Sequence, residues 1–110
     1  MGRLDRIPFV ELPGGLRMHV ARDPISRLFG LAHLDEIPPR SALTLPHCRS
    51  VHTYGMRFPL DLIWIGDELR LDREVPPNRV APGRGGRHVV ETRAGEGELF
   101  LEGLRLALEH

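Results

Sequence analysis

Residues 46–67 read P-H-C-R-S-V-H-T-Y-G-M-R-F-P-L-D-L-I-W-I-G-D, and the second half of that stretch decides the fold. In an extended chain successive side chains alternate between two faces. Phe58, Leu60, Leu62 and Trp64 then share one face, and Pro59, Asp61, Ile63 and Ile65 share the other. Both faces are mainly apolar, the pattern of a central strand covered on two sides. Gly66-Asp67 makes a tight turn, and Glu68–Val75 returns with Leu69, Leu71 and Val75 inward and Arg70 and Asp72 outward. The sequence thus predicts a central hairpin, 58–65 with 68–75.

Working outward, Ala42–Leu45 reads as a short strand entering this stretch. Nearer the N-terminus, Ile7–Leu12 and Leu16–Ala21 flank Pro13-Gly14-Gly15, two β-prone runs around a turn that needs positive φ. In the second run Leu16, Met18 and Val20 form a dry face, and Arg17 and His19 a wet one, so His19 reads as a surface residue. Asp23-Pro24 opens a helix by capping chemistry, and Ile25, Leu28, Phe29 and Ala32 follow at helical spacing before Ile37-Pro38-Pro39 stops it. On the C-terminal side, 76–86 has no periodicity and reads as a loop, either solvated or functional. His88–Arg93 and Glu98–Leu106 read as closing strands, with Gly95 in the turn between them and Gly103 at a bend or bulge.

The chain has 110 residues, 41% of them hydrophobic, enough for one core. Ten prolines and twelve glycines favour short elements and frequent turns. The expectation is a small, mainly β single domain over 1–107, a barrel or sandwich of about seven short strands with one short helix. Leu108-Glu109-His110 resembles a cloning junction before a histidine tag and is set aside. Basic and acidic residues balance at fifteen each, so no global field draws the protein to nucleic acid or to an anionic membrane. Every cation besides histidine is arginine, a usage that a GC-rich genome accounts for. The single cysteine, Cys48, excludes an internal disulfide. No apolar run resembles a signal peptide or a membrane span, so a cytoplasmic, soluble monomer is expected.

The first half of 46–67 holds the chemically versatile residues. His47, Cys48 and His52, with Asp61, could in principle ligate a metal, but H-C-x-x-x-H is not a strong zinc spacing, and neither metal nor cofactor is predicted. Cys48 and His52 have the residue types of a thiol enzyme. In an extended segment they would sit about 13 Å apart, too far for activation. Asp61 is the sharper candidate. A carboxylate in a doubly covered strand costs several kcal/mol unless it is hydrogen-bonded. The sequence nominates His52, Thr53 or the amides around Gly55 as its partners, with Asp61 pinning the His52–Arg57 bend onto the sheet. The alternative makes it a general acid or base in a pocket. Asp61, His52 and Cys48 are therefore the catalytic candidates.

These same residues resemble a known family. Ser50–Ile65, S-V-H-T-Y-G-M-R-F-P-L-D-L-I-W-I, is similar to the central motif of the family called domain of unknown function 192. Gly30-Leu31, Ala42-Leu43, and Val89-Val90-Glu91 with Ala94-Gly95 match its flanking elements, so the likeness covers nearly the whole chain. The resemblance implies a small, mainly β bacterial or archaeal domain and no particular activity. Many members carry an export or lipoprotein segment that this sequence does not show. Many also read tryptophan or phenylalanine with Met-Lys or Met-Arg where this chain has Thr53–Arg57.

The function expected from the residues is a binding module. His52, Thr53, Tyr54 and Arg57 would line a shallow site, with Arg84 on an arginine-rich rim that also includes Arg79 and Arg87. Its partner would be a small anionic ligand or a transient partner peptide. The other reading is an enzyme of unassigned reaction that uses Asp61 or His52 as acid or base.

Overall fold

The computed structural model describes residues 3–22, 31 and 37–109. After a 3₁₀ turn at Arg3–Arg6 the described residues form eight strands: β1 (Phe9–Leu12), β2 (Leu16–Val20), β3 (Ser41–Leu45), β4 (Ser50–His52), β5 (Leu60–Ile65), β6 (Leu69–Val75), β7 (Val80–Pro82) and β8 (His88–Arg93). A helix, α1 (Gly97–Leu108), follows them. Six strands form one sheet in the order β1-β2-β3-β8-β5-β6, while β4 and β7 make a separate two-stranded ribbon. Pairing in the large sheet is antiparallel except between β2 and β3. The mainly β fold expected from the sequence is the fold found, and its sheets stay open instead of closing into a barrel.

The parallel β2–β3 step needs a crossover of a dozen or more residues. Residues 21–40 supply that length; the helix expected after Asp23-Pro24 falls on residues 23–30 and 32–36, outside those described.

Strand β5 bears out its alternating pattern. Leu60, Leu62 and Trp64 join Leu43, Val89, Val51, Met56 and Ala81 in one core cluster. Ile63 joins Ala42, Val90, Phe100, Leu101 and Leu104 in a second cluster on the other face. The ribbon and the 53–56 bend cover the first face, and α1 covers the second.

Residues 98–106 are helical, which corrects the strand expected there. The buried positions of α1 are Gly97, Phe100, Leu101, Gly103 and Leu104. That is the three-and-four spacing of a helix, which outweighs the local resemblance to a strand. Gly103 is no bulge: a Cβ there would stand 3.0 Å from Leu16, so it lets the helix lie close on the first hairpin.

His19 is buried at 4% exposure, not on a wet face. In register it lies between Phe9 and Leu43, and Leu43 belongs to the first cluster. The N-terminal segment folds over that side. There the Nδ1–H of His19 donates to the Ile7 carbonyl at 2.8 Å, which meets the need of a buried imidazole.

Candidate anion-binding site

Asp61 is 2% exposed, and both of its oxygens are occupied by backbone amides. Glu74 N–H donates to Oδ1 at 2.8 Å, while Gly95 and Gly97 donate to Oδ2 at 3.0 and 2.9 Å. This overturns the partners read from the sequence. Asp61 shares the face of Ile63, so it points toward α1, whereas Met56 of the 53–56 bend packs on the opposite face.

Each amide has a structural reason to need an acceptor. Glu74 lies in a bulge where Leu60 pairs with Val75 but Leu62 pairs with Asp72, and its φ is +51. The bulge also turns Val75 to the first cluster, although Leu69 and Leu71 pack on the second. Gly95 turns the chain from β8 into α1 at φ +96. Gly97 opens α1, whose N-cap residue, Glu96, makes no capping bond. Asp61 caps that helix from the neighbouring strand, placing negative charge where the helix end favours it.

On the other face, Trp64 organises the region after β7. Its indole Nε1–H donates to Asp72 at 3.0 Å, and Arg70 bridges Asp72 at 2.8 Å and the Gly83 carbonyl at 2.7 Å. Arg70 and Asp72, expected to face solvent, instead form a half-buried clasp over the tryptophan edge. Gly83 and Gly86 press onto the ring: added Cβ atoms would stand 2.9 Å and 2.8 Å from Trp64. Between them Arg84 and Gly85 turn the chain at φ +48 and +97. The turn is tied down by Gly83 N–H to the Arg49 carbonyl at 2.7 Å, Gly86 N–H to the Gly83 carbonyl at 2.9 Å, and Arg87 N–H to the Ile65 carbonyl at 2.8 Å. The aperiodic 76–86 segment thus contains strand β7 and a clamped turn.

That turn brings Arg49, Arg84 and Arg87 to one shallow cleft of ≈ 400 Å³, with Gly85 and Gly86 on its floor. All three arginines are exposed. Asp67 lies at the margin, 3.3 Å from Arg87 and itself 95% exposed. An exposed pair of this kind is weak, so an incoming anion can compete for Arg87. A recess of ≈ 430 Å³ at the open edge of β1, lined by Phe9 and Val10, is mostly apolar, with Arg22 the one charged side chain among the described residues that line it.

The other expected site residues are distributed differently. Thr53 is 1% exposed and structural: its hydroxyl donates to the Pro76 carbonyl at 2.7 Å and accepts from Arg79 N–H at 2.8 Å. His52 and Tyr54 are exposed and stack with centroids 5.2 Å apart, at the end of the ribbon away from Arg84. Arg57 is exposed on the 53–59 connection. Cys48 is half-buried, its thiol donating to the Ser50 carbonyl at 3.1 Å. The chain bends at His47, with φ +54, and its amide donates to His88 Nδ1 at 2.9 Å. Among the described residues no three His, Cys, Asp or Glu side chains converge as a metal site. Arg49 was missed by sequence reading. It adjoins the histidine–cysteine cluster, and only the β4–β7 pairing brings it to Arg84.

The fold and the cleft define a small mixed-sheet domain that carries an arginine-rich turn on its ribbon side. By sequence the chain belongs to the DUF192 family (Uncharacterized ACR), whose model matches residues 11–100. Among solved structures it is similar to a protein of unknown function from Novosphingobium aromaticivorans DSM 12444, with a TM-score of 0.65 and 16% identity over 90% of each chain. It is also similar to a protein from Sinorhizobium meliloti 1021 described as a candidate transcription regulator. That match has a TM-score of 0.65 and 21% identity, and covers 84% of this chain and 82% of that one. At these identities the likeness is one of fold. No curated protein matches the chain. No helix among the described residues is long and apolar enough to cross a membrane.

Proposed function

We propose that this domain is a binding module for a small anion or an anionic group on a partner peptide, held in the cleft of Arg49, Arg84 and Arg87. The observation that carries this reading is the lining of one cleft by three exposed arginines beside a turn clamped to Trp64. Arginine forks match phosphate and carboxylate oxygens in pairs, and a fixed turn lowers the ordering cost of binding. The domain would act as a monomer in a reducing cytoplasm, where the Cys48 thiol stays reduced. An acid–base role for Asp61 has less support, because three amides already occupy its oxygens. His52 lies across the sheet from it, on the ribbon.

Calorimetric titration with pyrophosphate at low ionic strength tests the proposal. Arg84→Asn is the suitable variant, since asparagine tolerates the left-handed backbone at this position. Combined with Arg87→Gln it should weaken binding roughly tenfold, about 0.7 kcal/mol for each exposed pair removed. Affinity unchanged in the double variant would sink the reading.

A further inference from the structure

The cleft is one end of a longer cationic strip. Segments 49–57 and 76–87 contain five arginines, Arg49, Arg57, Arg79, Arg84 and Arg87, and no acidic residue. The β4–β7 pairing sets Arg49 and Arg84 near one end and Arg79 near the other: Ser50 faces Pro82 beside the arginine turn, and His52 faces Val80 two residues along, a separation of about 7 Å. Val51 and Ala81 point into the core, leaving Ser50, His52, Val80 and Pro82 on the outer surface of the ribbon. At the far end, Thr53 N–H donates to the Arg79 carbonyl at 2.8 Å, which sets Arg79 beside the stacked pair of His52 and Tyr54. Tyr54 is 52% exposed and Val80 62%.

From this arrangement we infer that the ribbon binds single-stranded nucleic acid, with phosphates on the Arg49–Arg84–Arg87 cleft and a base on the His52–Tyr54 pair. The inference rests on the anion-binding reading and names the class of ligand. An isolated phosphate uses only one end of the strip. A strand of nucleotides uses both, because it repeats a charged group and a flat ring along its length. Exposed aromatic rings beside a basic track are the usual physical means of holding unpaired bases. A duplex keeps its base faces stacked inside and offers them no partner. The balanced total charge argues against nucleic acid only if the charges are evenly spread, and here the two ribbon segments are positive, with Asp67 and Glu68 the acids beside Arg84.

The test is fluorescence anisotropy with a labelled oligothymidylate of about eight nucleotides, a length within the footprint of one small domain. An abasic oligomer of equal length, a duplex of the same length and unlabelled pyrophosphate serve as comparison ligands. The wild type should bind the oligothymidylate about tenfold more tightly than the abasic oligomer. Its log–log salt slope should be near −2, as expected for about three phosphates neutralised on a single strand. Tyr54→Ala should lose that advantage and leave pyrophosphate affinity as it was, with Tyr54→Phe restoring it; Arg84→Asn should weaken both ligands. Equal binding of oligothymidylate and abasic oligomer, equal or tighter binding of the duplex, or no effect of Tyr54→Ala would overturn the nucleic-acid inference and leave the anion site standing. Binding of neither pyrophosphate nor oligothymidylate would overturn both.

Discussion

Asp61→Asn should destabilise the fold by about 3 kcal/mol, with the surviving folded protein unchanged in anion affinity. The carboxylate accepts three amides through two oxygens. Asparagine offers one oxygen and one NH₂ group. If the oxygen stays with Gly95 and Gly97, the NH₂ group must face the Glu74 N–H, donor against donor. Leaving the part-buried Glu74 N–H unsatisfied costs about 1 kcal/mol, the low end of the range for a buried donor, and a bond to a charged acceptor is worth about 1.5–3 kcal/mol, so the sum is a large share of total stability. Thermal unfolding should therefore fall by roughly 10–20 °C for a domain of this size. Chemical denaturation and calorimetry measure this directly. A variant with wild-type stability and altered binding or chemistry would return Asp61 to the catalytic candidates.

Gly83→Ala is the second large effect, and it joins stability to function. A Cβ at Gly83 would stand 2.6 Å from the Arg49 carbonyl and 2.9 Å from the Trp64 ring. Neither neighbour is the loose end of a side chain. One is backbone; the other is a ring 1% exposed and hydrogen-bonded to Asp72. The turn must therefore lift, losing the Gly83 N–H bond to Arg49 and the Arg70 bond to the Gly83 carbonyl. Overpacking of this kind costs about 1–3 kcal/mol. Because the same shift moves Arg49 relative to Arg84 and Arg87, pyrophosphate affinity should fall at least as far as in the arginine variants. Equilibrium unfolding and titration on one sample check both parts. A stable Gly83→Ala protein that binds normally would mean that the clamp on Trp64 does not position the site.

What the sequence disclosed follows from what its periodicity can encode. Strand β5 was legible because a doubly apolar run of eight residues around one acid has few other uses. The two hairpins were legible from their turns. The C-terminal helix reads as a strand because a bulge at Gly103 would reconcile Leu99 and Leu101 before it with Leu104 and Leu106 after it. Its register became plain only when Phe100, Leu101 and Leu104 were seen to share the α1 face. His19 was misread for a different reason. Alternation along β2 is real, but the cover on its second side comes from Leu4 and Ile7, remote in the chain. Asp61 was rightly singled out and given the wrong partners, since amides at 74, 95 and 97 leave no trace in composition. The arginine cleft was half legible. Arg84 and Arg87 stood out in a basic loop, but Arg49 reaches them only through the β4–β7 pairing, which no local pattern announces.

The central claim is that the binding surface lies on the ribbon side, at the turn clamped to Trp64, and that Asp61 on the opposite face is architectural. The most direct test is a ¹H–¹⁵N correlation spectrum of the wild-type protein titrated with pyrophosphate. The amides of Arg49, Arg84, Gly85, Gly86 and Arg87 should shift in a saturable way, while those of Asp61, Glu74, Gly95 and Gly97 stay in place. Saturable shifts centred on Glu74, Gly95 and Gly97, with the arginine turn unmoved, would contradict the account.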